Sequence, residues 1–222
     1  MLRELIHLAR HAPRVLALKQ KLSQAELYDV LIERADDAGF RERRARLVGD
    51  LRGDVLEIGC GTGRTFEHYD ARARVRAIDF DEDFLVRARP RLRENITMER
   101  ADAQSLPFAD ESFDAVVVCL VLCSIPNVPK AIAEAKRVLK KGGELRAIEH
   151  VISDRAIAGA LMHAVDPLWL RLNEQGCHLD RDTITDVRAA FDDVRVEESF
   201  QIFSAGLPAF PMVSLRATRR AD

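Results

Sequence analysis

From Asp54 to about Val151, short apolar runs alternate with longer stretches of helical period. The runs DVLEI, RVRAI, DAVVVCLVL and ELRAIEHV have strand length, and they are apolar enough to be buried on both faces. Between them, DEDFLVRARPRLR and VPKAIAEAKRVLKK space their apolar residues as helices do. Strand then helix, repeated, predicts a parallel sheet covered on both faces. Gly142 and Gly143 read as the C-cap of the last of these helices. Two later strand candidates, DVRVEES and MVSLRAT, have no helix-length segment between them and are expected to pair antiparallel at the sheet edge.

Residues 1–50 read as an N-terminal helical lid or cap, and residues 51–222 as the main domain. SQAE at Ser23 to Glu26 matches a capping box, with Ser23 as N-cap and Glu26 three residues on. Residues 2–18 are amphipathic: Leu2, Leu5, Ile6, Ala9, Ala12 and Leu16 share one face, and Arg3, His7, Arg10 and Arg14 the opposite one. Pro13 should begin, kink or divide that helix. It reads either as an apolar lid over a pocket or as a surface helix whose basic face makes peripheral contact with anionic lipid headgroups. Its shortness and its proline favour the lid.

Composition narrows the picture. A chain of 222 residues suffices for one α/β domain with a substantial core. With 34 Lys and Arg against 36 Asp and Glu, the net charge of -2 gives no support to a nucleic-acid partner. The four cysteines, Cys60, Cys119, Cys123 and Cys177, form no C-x-x-C pair and have no finger-like metal spacing. Reduced thiols in a cytoplasmic protein are the simplest reading. No apolar run reaches transmembrane length, and the N-terminus lacks a signal-peptide pattern.

The chemistry starts at VLEIGCGTGRT, residues 55 to 65. A glycine loop after a strand, opening a helix, offers close backbone approach and unpaired N–H groups to a nucleotide. The dinucleotide fingerprint places a third glycine where this chain has Arg64, which disfavours a nicotinamide cofactor and an oxidoreductase. Asp79, at the tip of the second strand, is placed to accept from both hydroxyls of a ribose. A solvated helix cap is the competing reading. Asp102, ending the third strand candidate, is placed to accept from the exocyclic amine of adenine, with the Ala103 N–H donating to the ring.

VLEIGCGTG, AIDFDEDFLVRAR, ADAQSLPFADESFDAVV and EAKRVLKKGGEL, in that order, resemble the class I S-adenosyl-L-methionine (SAM)-dependent methyltransferases. The resemblance implies a Rossmann-like, doubly wound, seven-stranded sheet with the last strand antiparallel, and SAM across the C-terminal ends of strands one to four. It places Glu57, Gly59, Cys60, Gly61 and Gly63 at the aminocarboxypropyl end, Asp79 and Phe80 at the ribose, Asp102 and Ala103 at the adenine, and Cys119 and Leu120 beside the methionine.

LVLCSIPNV, AIEHV, DPLWLRL and GCHLDRDT further resemble a subgroup that methylates alkyl thiols, and its bacterial relatives. This implies a small hydrophobic acceptor, a thiol first, with O- or N-methylation of a phenol, a phospholipid headgroup or another small molecule as the alternative. A non-catalytic SAM-binding or membrane-peripheral module is the competing class. The candidate bases are His150 and His178, each also readable as structural, and no Asp–His or Lys pair is evident beside the donor motifs. Trp169 reads as a pocket wall or as core. Cys119, Cys123 and Cys177 converging near the donor methyl would suit a metalloid, but small buried cysteines are commoner, and no metal is expected.

Overall fold

The computed structural model describes residues 21–172, 176–202 and 210–221. The N-terminal amphipathic stretch 2–18 lies outside the described residues. Helix α1 (Gln24–Ala35) starts at the expected capping box: Ser23 Oγ accepts from the Glu26 N–H at 3.3 Å, and Glu26 Oε2 accepts from the Ser23 N–H at 2.9 Å. After a kink at Ala38 and Gly39, α2 (Arg41–Val48) leads into β1 (Gly53–Ile58). There follow β2 (Ala73–Asp79), α3 (Glu82–Ala88), β3 (Ile96–Arg100), β4 (Phe113–Cys119), α4 (Val128–Val138), β5 (Leu139–His150), α5 (Ala156–Leu172), α6 (Thr183–Ala190), β6 (Asp193–Ile202) and β7 (Phe210–Thr218).

The strands form one seven-stranded sheet in the order β3-β2-β1-β4-β5-β7-β6. β7 runs antiparallel between β5 and β6, and the other neighbouring pairs are parallel. Alternation along each strand feeds two cores. Leu56, Ile58, Val116 and Val118 face α4 and α6. Val55, Ala77, Ala115 and Val117 face the other way, where Ile32, Phe40, Leu47 and Val48 of α1, the kink and α2 cover them. The strand order reverses between β1 and β4, and in such sheets ligands bind outside the C-terminal strand ends at that point.

Two local expectations are corrected. The glycine loop does not open an α-helix: only a single 3₁₀ turn, Phe66–His68, lies between β1 and β2. The loop side chains are used elsewhere, Thr62 and Arg64 bonding to Asp29 of α1 and Thr65 to Glu57. Gly142 and Gly143 do not cap α4, which ends at Val138. They lie at the start of β5, where the register with β4 shifts, and a Cβ on Gly143 would come within 2.9 Å of the Asp114 carbonyl. Among the described residues no helix is long and apolar enough to cross a membrane.

Candidate active site

A cavity of about 430 Å³ opens at the switch point, of the size that small-molecule sites have. Its wall includes Gly59 and Gly61 from the glycine loop, Asp79 at the end of β2 with Phe80 just after it, and Asp102 and Ala103 after β3. Cys119 and Leu120 complete it from the end of β4. Eight of the positions expected from sequence therefore share one concave surface.

Asp79 organises the floor. Its carboxylate accepts from the Gly61 N–H at 2.8 Å and from the Asp81 N–H at 3.0 Å. Burial pushes its pKa upward against those bonds. A carboxylate has about four lone-pair sites, so it retains capacity for hydroxyl donors. Asp102 stands just beyond β3, not in it, and accepts from the Gln104 N–H at 2.8 Å and from the Gln104 amide. Phe80 is 65% exposed at the lip, with Arg100 over its ring at 5.2 Å.

Glu57, Cys60 and Gly63 stand behind the loop instead of on the wall. Glu57 is fully enclosed; its two oxygens accept from Thr65 Oγ1 and, at 3.0 Å, from the Tyr69 hydroxyl. It braces the loop from below. Cys60 is buried, and its N–H donates to the Ile78 carbonyl at 2.9 Å. A Cβ on Gly63 would come within 2.8 Å of the Phe66 ring, so this glycine serves packing.

Burial pushes the Glu57 carboxyl up to about 7, with the Thr65 and Tyr69 bonds opposing. A folded-state pKa above the unfolded value gives a contribution complete below about pH 4.5 and lost as pH rises through 7. Glu57→Gln is therefore expected to flatten the fall in unfolding free energy between pH 5 and 8 by roughly 3 kcal/mol. Urea melts at the two pH values check this, and an unchanged slope refutes it.

Three features escaped sequence reading. The first is Asp29 on α1, 6% exposed, which accepts from Thr62 Oγ1 at 2.7 Å, Arg64 Nε at 3.0 Å and Arg87 Nε at 3.2 Å. Arg64, which broke the dinucleotide pattern, thus ties the N-terminal helix to the glycine loop. This brings Gln24 and Tyr28 onto the cavity wall. The second is the backbone of Leu120, an expected wall residue that stands at φ 62, a state that costs a non-glycine residue about 1–2 kcal/mol. The third is Glu149, fully buried, whose Oε1 accepts from the Val121 and Leu122 N–H groups at 2.9 and 3.1 Å. It holds the turn that Leu120 begins. Only the pairing of β4 with β5 puts Glu149 there, so the AIEH motif drew attention to its neighbour His150 instead.

Neither histidine lines the cavity. His150 is 4% exposed, and its ring lies edge-on to Phe210 at 4.9 Å between centroids. Trp169 joins that cluster 5.9 Å from Phe210 and donates Nε1–H to the Cys177 carbonyl at 2.8 Å. His178 faces Asp166, with Nδ1 2.8 Å from Oδ2. This Asp–His pair, between helix α5 and the segment 176–182, lies away from the cavity wall and so is not beside the donor motifs. The three cysteines do not converge. Cys123 and Cys177 are hydrogen-bonded neighbours, whereas Cys119 is paired with the buried Arg44. Burial pushes the Cys119 thiol up to about 12.

The family described as "Methyltransferase domain" matches residues 56–147. The chain is 36% identical over 163 residues to the thiol S-methyltransferase TMT1B of Rattus norvegicus, covering 68% of this chain and 66% of that protein. It is 31% identical over 154 residues to the phosphatidylethanolamine N-methyltransferase of Cereibacter sphaeroides, covering 67% of this chain and 75% of that protein. Just under two thirds of the length of the rat protein is thus spanned. Among solved structures, Haemonchus contortus phosphoethanolamine N-methyltransferase 2 in complex with SAM superposes with a TM-score of 0.63. It has 15% identity, over 81% of this chain and 52% of that one, a likeness of fold. Relatedness across three quarters of a bacterial methyltransferase, joined to this strand order and a switch-point cavity, shows that the chain belongs to the class I SAM-dependent methyltransferases.

Proposed function

We propose that the enzyme transfers the methyl group of SAM to the sulfur of a small hydrophobic thiol. The observation that carries this reading is the cavity wall, where, among the described residues, no group suited to general-base catalysis stands at the β4 end. Leu120, Val121, Ile125 and Pro126 there are apolar. Burial pushes both the Cys119 thiol and the Tyr28 phenol up, so neither takes a proton from a substrate near neutral pH. An alcohol would need a base; a thiol, with a reference pKa of about 8.5, ionises nearly unaided. The named activity of the rat relative points the same way.

In this reading Asp79 accepts from the ribose hydroxyls, Asp102 and the Ala103 N–H read the adenine, and the Gly59–Gly63 backbone takes the aminocarboxypropyl end with Glu57 bracing it. Cys119 and Leu120 flank the methionine chain. Bound SAM supplies an already activated methyl on a sulfonium. The protein's work is to align the acceptor in line and keep water out. Gln24 and Tyr28 of α1 stand on the cavity wall, which supports a lid role for the N-terminal region.

The test is an acceptor screen with methyl-labelled SAM, covering alkyl thiols, phenols and ethanolamine phospholipids. Thiol turnover is expected. Inert thiols beside a methylated phospholipid would instead support the activity named for the bacterial relative. On the thiol, His150→Ala and His178→Ala are each expected to lower kcat by less than the ~10²-fold loss of a general base. The rate should rise with pH up to the acceptor's own pKa. A loss above 10²-fold in either variant would give that histidine the proton.

A further inference from the structure

Away from the cavity, the segment 176–182 folds back on α5 and brings four metal-ligating side chains together. Asp166 is 5% exposed. Its Oδ1 accepts from the Leu179 N–H at 2.6 Å, which fixes the carboxylate and aims Oδ2 at His178 Nδ1, 2.8 Å away. The same nitrogen lies 3.8 Å from Asp180 Oδ1. The other oxygen of Asp180 is 2.6 Å from Nδ1 of His163, one turn before Asp166 on the helix. At 3.8 Å Asp180 is beyond hydrogen-bond distance of that nitrogen, and a divalent ion at that point would serve both carboxylates.

We propose that Asp166, His178 and Asp180 bind a divalent first-row transition metal, with His163 orienting Asp180. Their ligand atoms all lie within 4.8 Å of one another. Zinc–nitrogen and zinc–oxygen bonds of about 2.0–2.2 Å require ligands roughly 3 Å apart, a small closure from this arrangement. Imidazole among the ligands selects a transition metal over calcium or magnesium. Two carboxylates balance a dication, and an imidazole that gives up its Nδ1 proton completes the set. The ligands join a helix to a loop: Asp166 belongs to α5, His178 and Asp180 to the following segment. That segment carries Cys177 and is bonded through the His178 N–H to the Cys123 carbonyl at 2.9 Å, next to Ser124 on the cavity wall. The ion would clamp the segment supporting the wall and take no part in methyl transfer.

The test uses the untagged, full-length chain stripped with chelator. Calorimetric titration with zinc chloride is expected to show one equivalent bound. X-ray absorption should show only nitrogen and oxygen in the first shell. Asp180→Asn should weaken binding by at least tenfold, and His163→Ala, at a 78% exposed side chain that the fold does not need, by about tenfold. Binding that is absent, unchanged in both variants, or made through sulfur, which would move the ion to Cys123 and Cys177, overturns the proposal.

Discussion

Replacing Gly61 with valine is expected to abolish SAM binding while leaving the chain folded. Gly61 lies on the cavity wall at φ 55, and its N–H is held by Asp79. A Cβ there would meet only Phe84 at 3.7 Å and Tyr28 at 4.0 Å, ordinary contacts, so the protein itself has room for it. The added methyls would enter the space assigned to the methionine end of the cofactor. Backbone strain should cost about 1–3 kcal/mol, and affinity should fall at least 100-fold, or roughly 3 kcal/mol. Gly59 makes the contrast: its Cβ would overlap both methyls of Val121, so Gly59→Ala should fail first in folding. Calorimetry and thermal melts on both variants separate the two causes. A Gly61→Val protein that binds SAM within threefold of the parent would contradict the placement.

The second large effect is expected at Asp29. Asp29→Ala removes the common acceptor of Thr62, Arg64 and Arg87, with Arg91 3.5 Å away as well. Burial raises the pKa of this carboxyl, but the Thr62 and Arg64 bonds and the arginine charges outweigh it, so the native state holds it ionised. Removing it leaves guanidinium groups facing one another. The expected loss is about 3 kcal/mol, the low end for breaking a buried pair, because Arg87 and Arg91 stay more than a third exposed. SAM affinity should fall too, since α1 carries Gln24 and Tyr28 to the cavity. Asp29→Asn, which keeps shape and some hydrogen bonding, should lose less. Equal stability of Asp29→Ala and the parent in urea melts would show that the clamp contributes nothing.

What was legible in the sequence is what local pattern encodes. The strand runs and the capping box at Ser23 reflect periodicity and short-range bonding, and both appear where expected. Asp79 and Asp102 could be placed because one ends its strand and the other follows closely on its own. What could not be read depends on partners far along the chain. Asp29 looks like one more polar residue of an amphipathic helix until Arg64, 35 positions on, reaches it. Glu149 looks like the end of an apolar strand until β5 pairs with β4 and delivers it to Val121. The Asp166–His178 pair forms because the chain reverses after α5. The loop after β1 misled for the opposite reason: a glycine loop commonly opens a helix, but here its side chains bond to α1 and Glu57.

The most direct test of the account is a crystal structure of the enzyme with S-adenosylhomocysteine, the demethylated product. The account predicts both ribose hydroxyls within hydrogen-bond distance of Asp79, the adenine amine at Asp102, and the sulfur beside Leu120 with the apolar β4-end wall beyond it. A nucleoside bound elsewhere, or with its ribose turned away from Asp79, would contradict it.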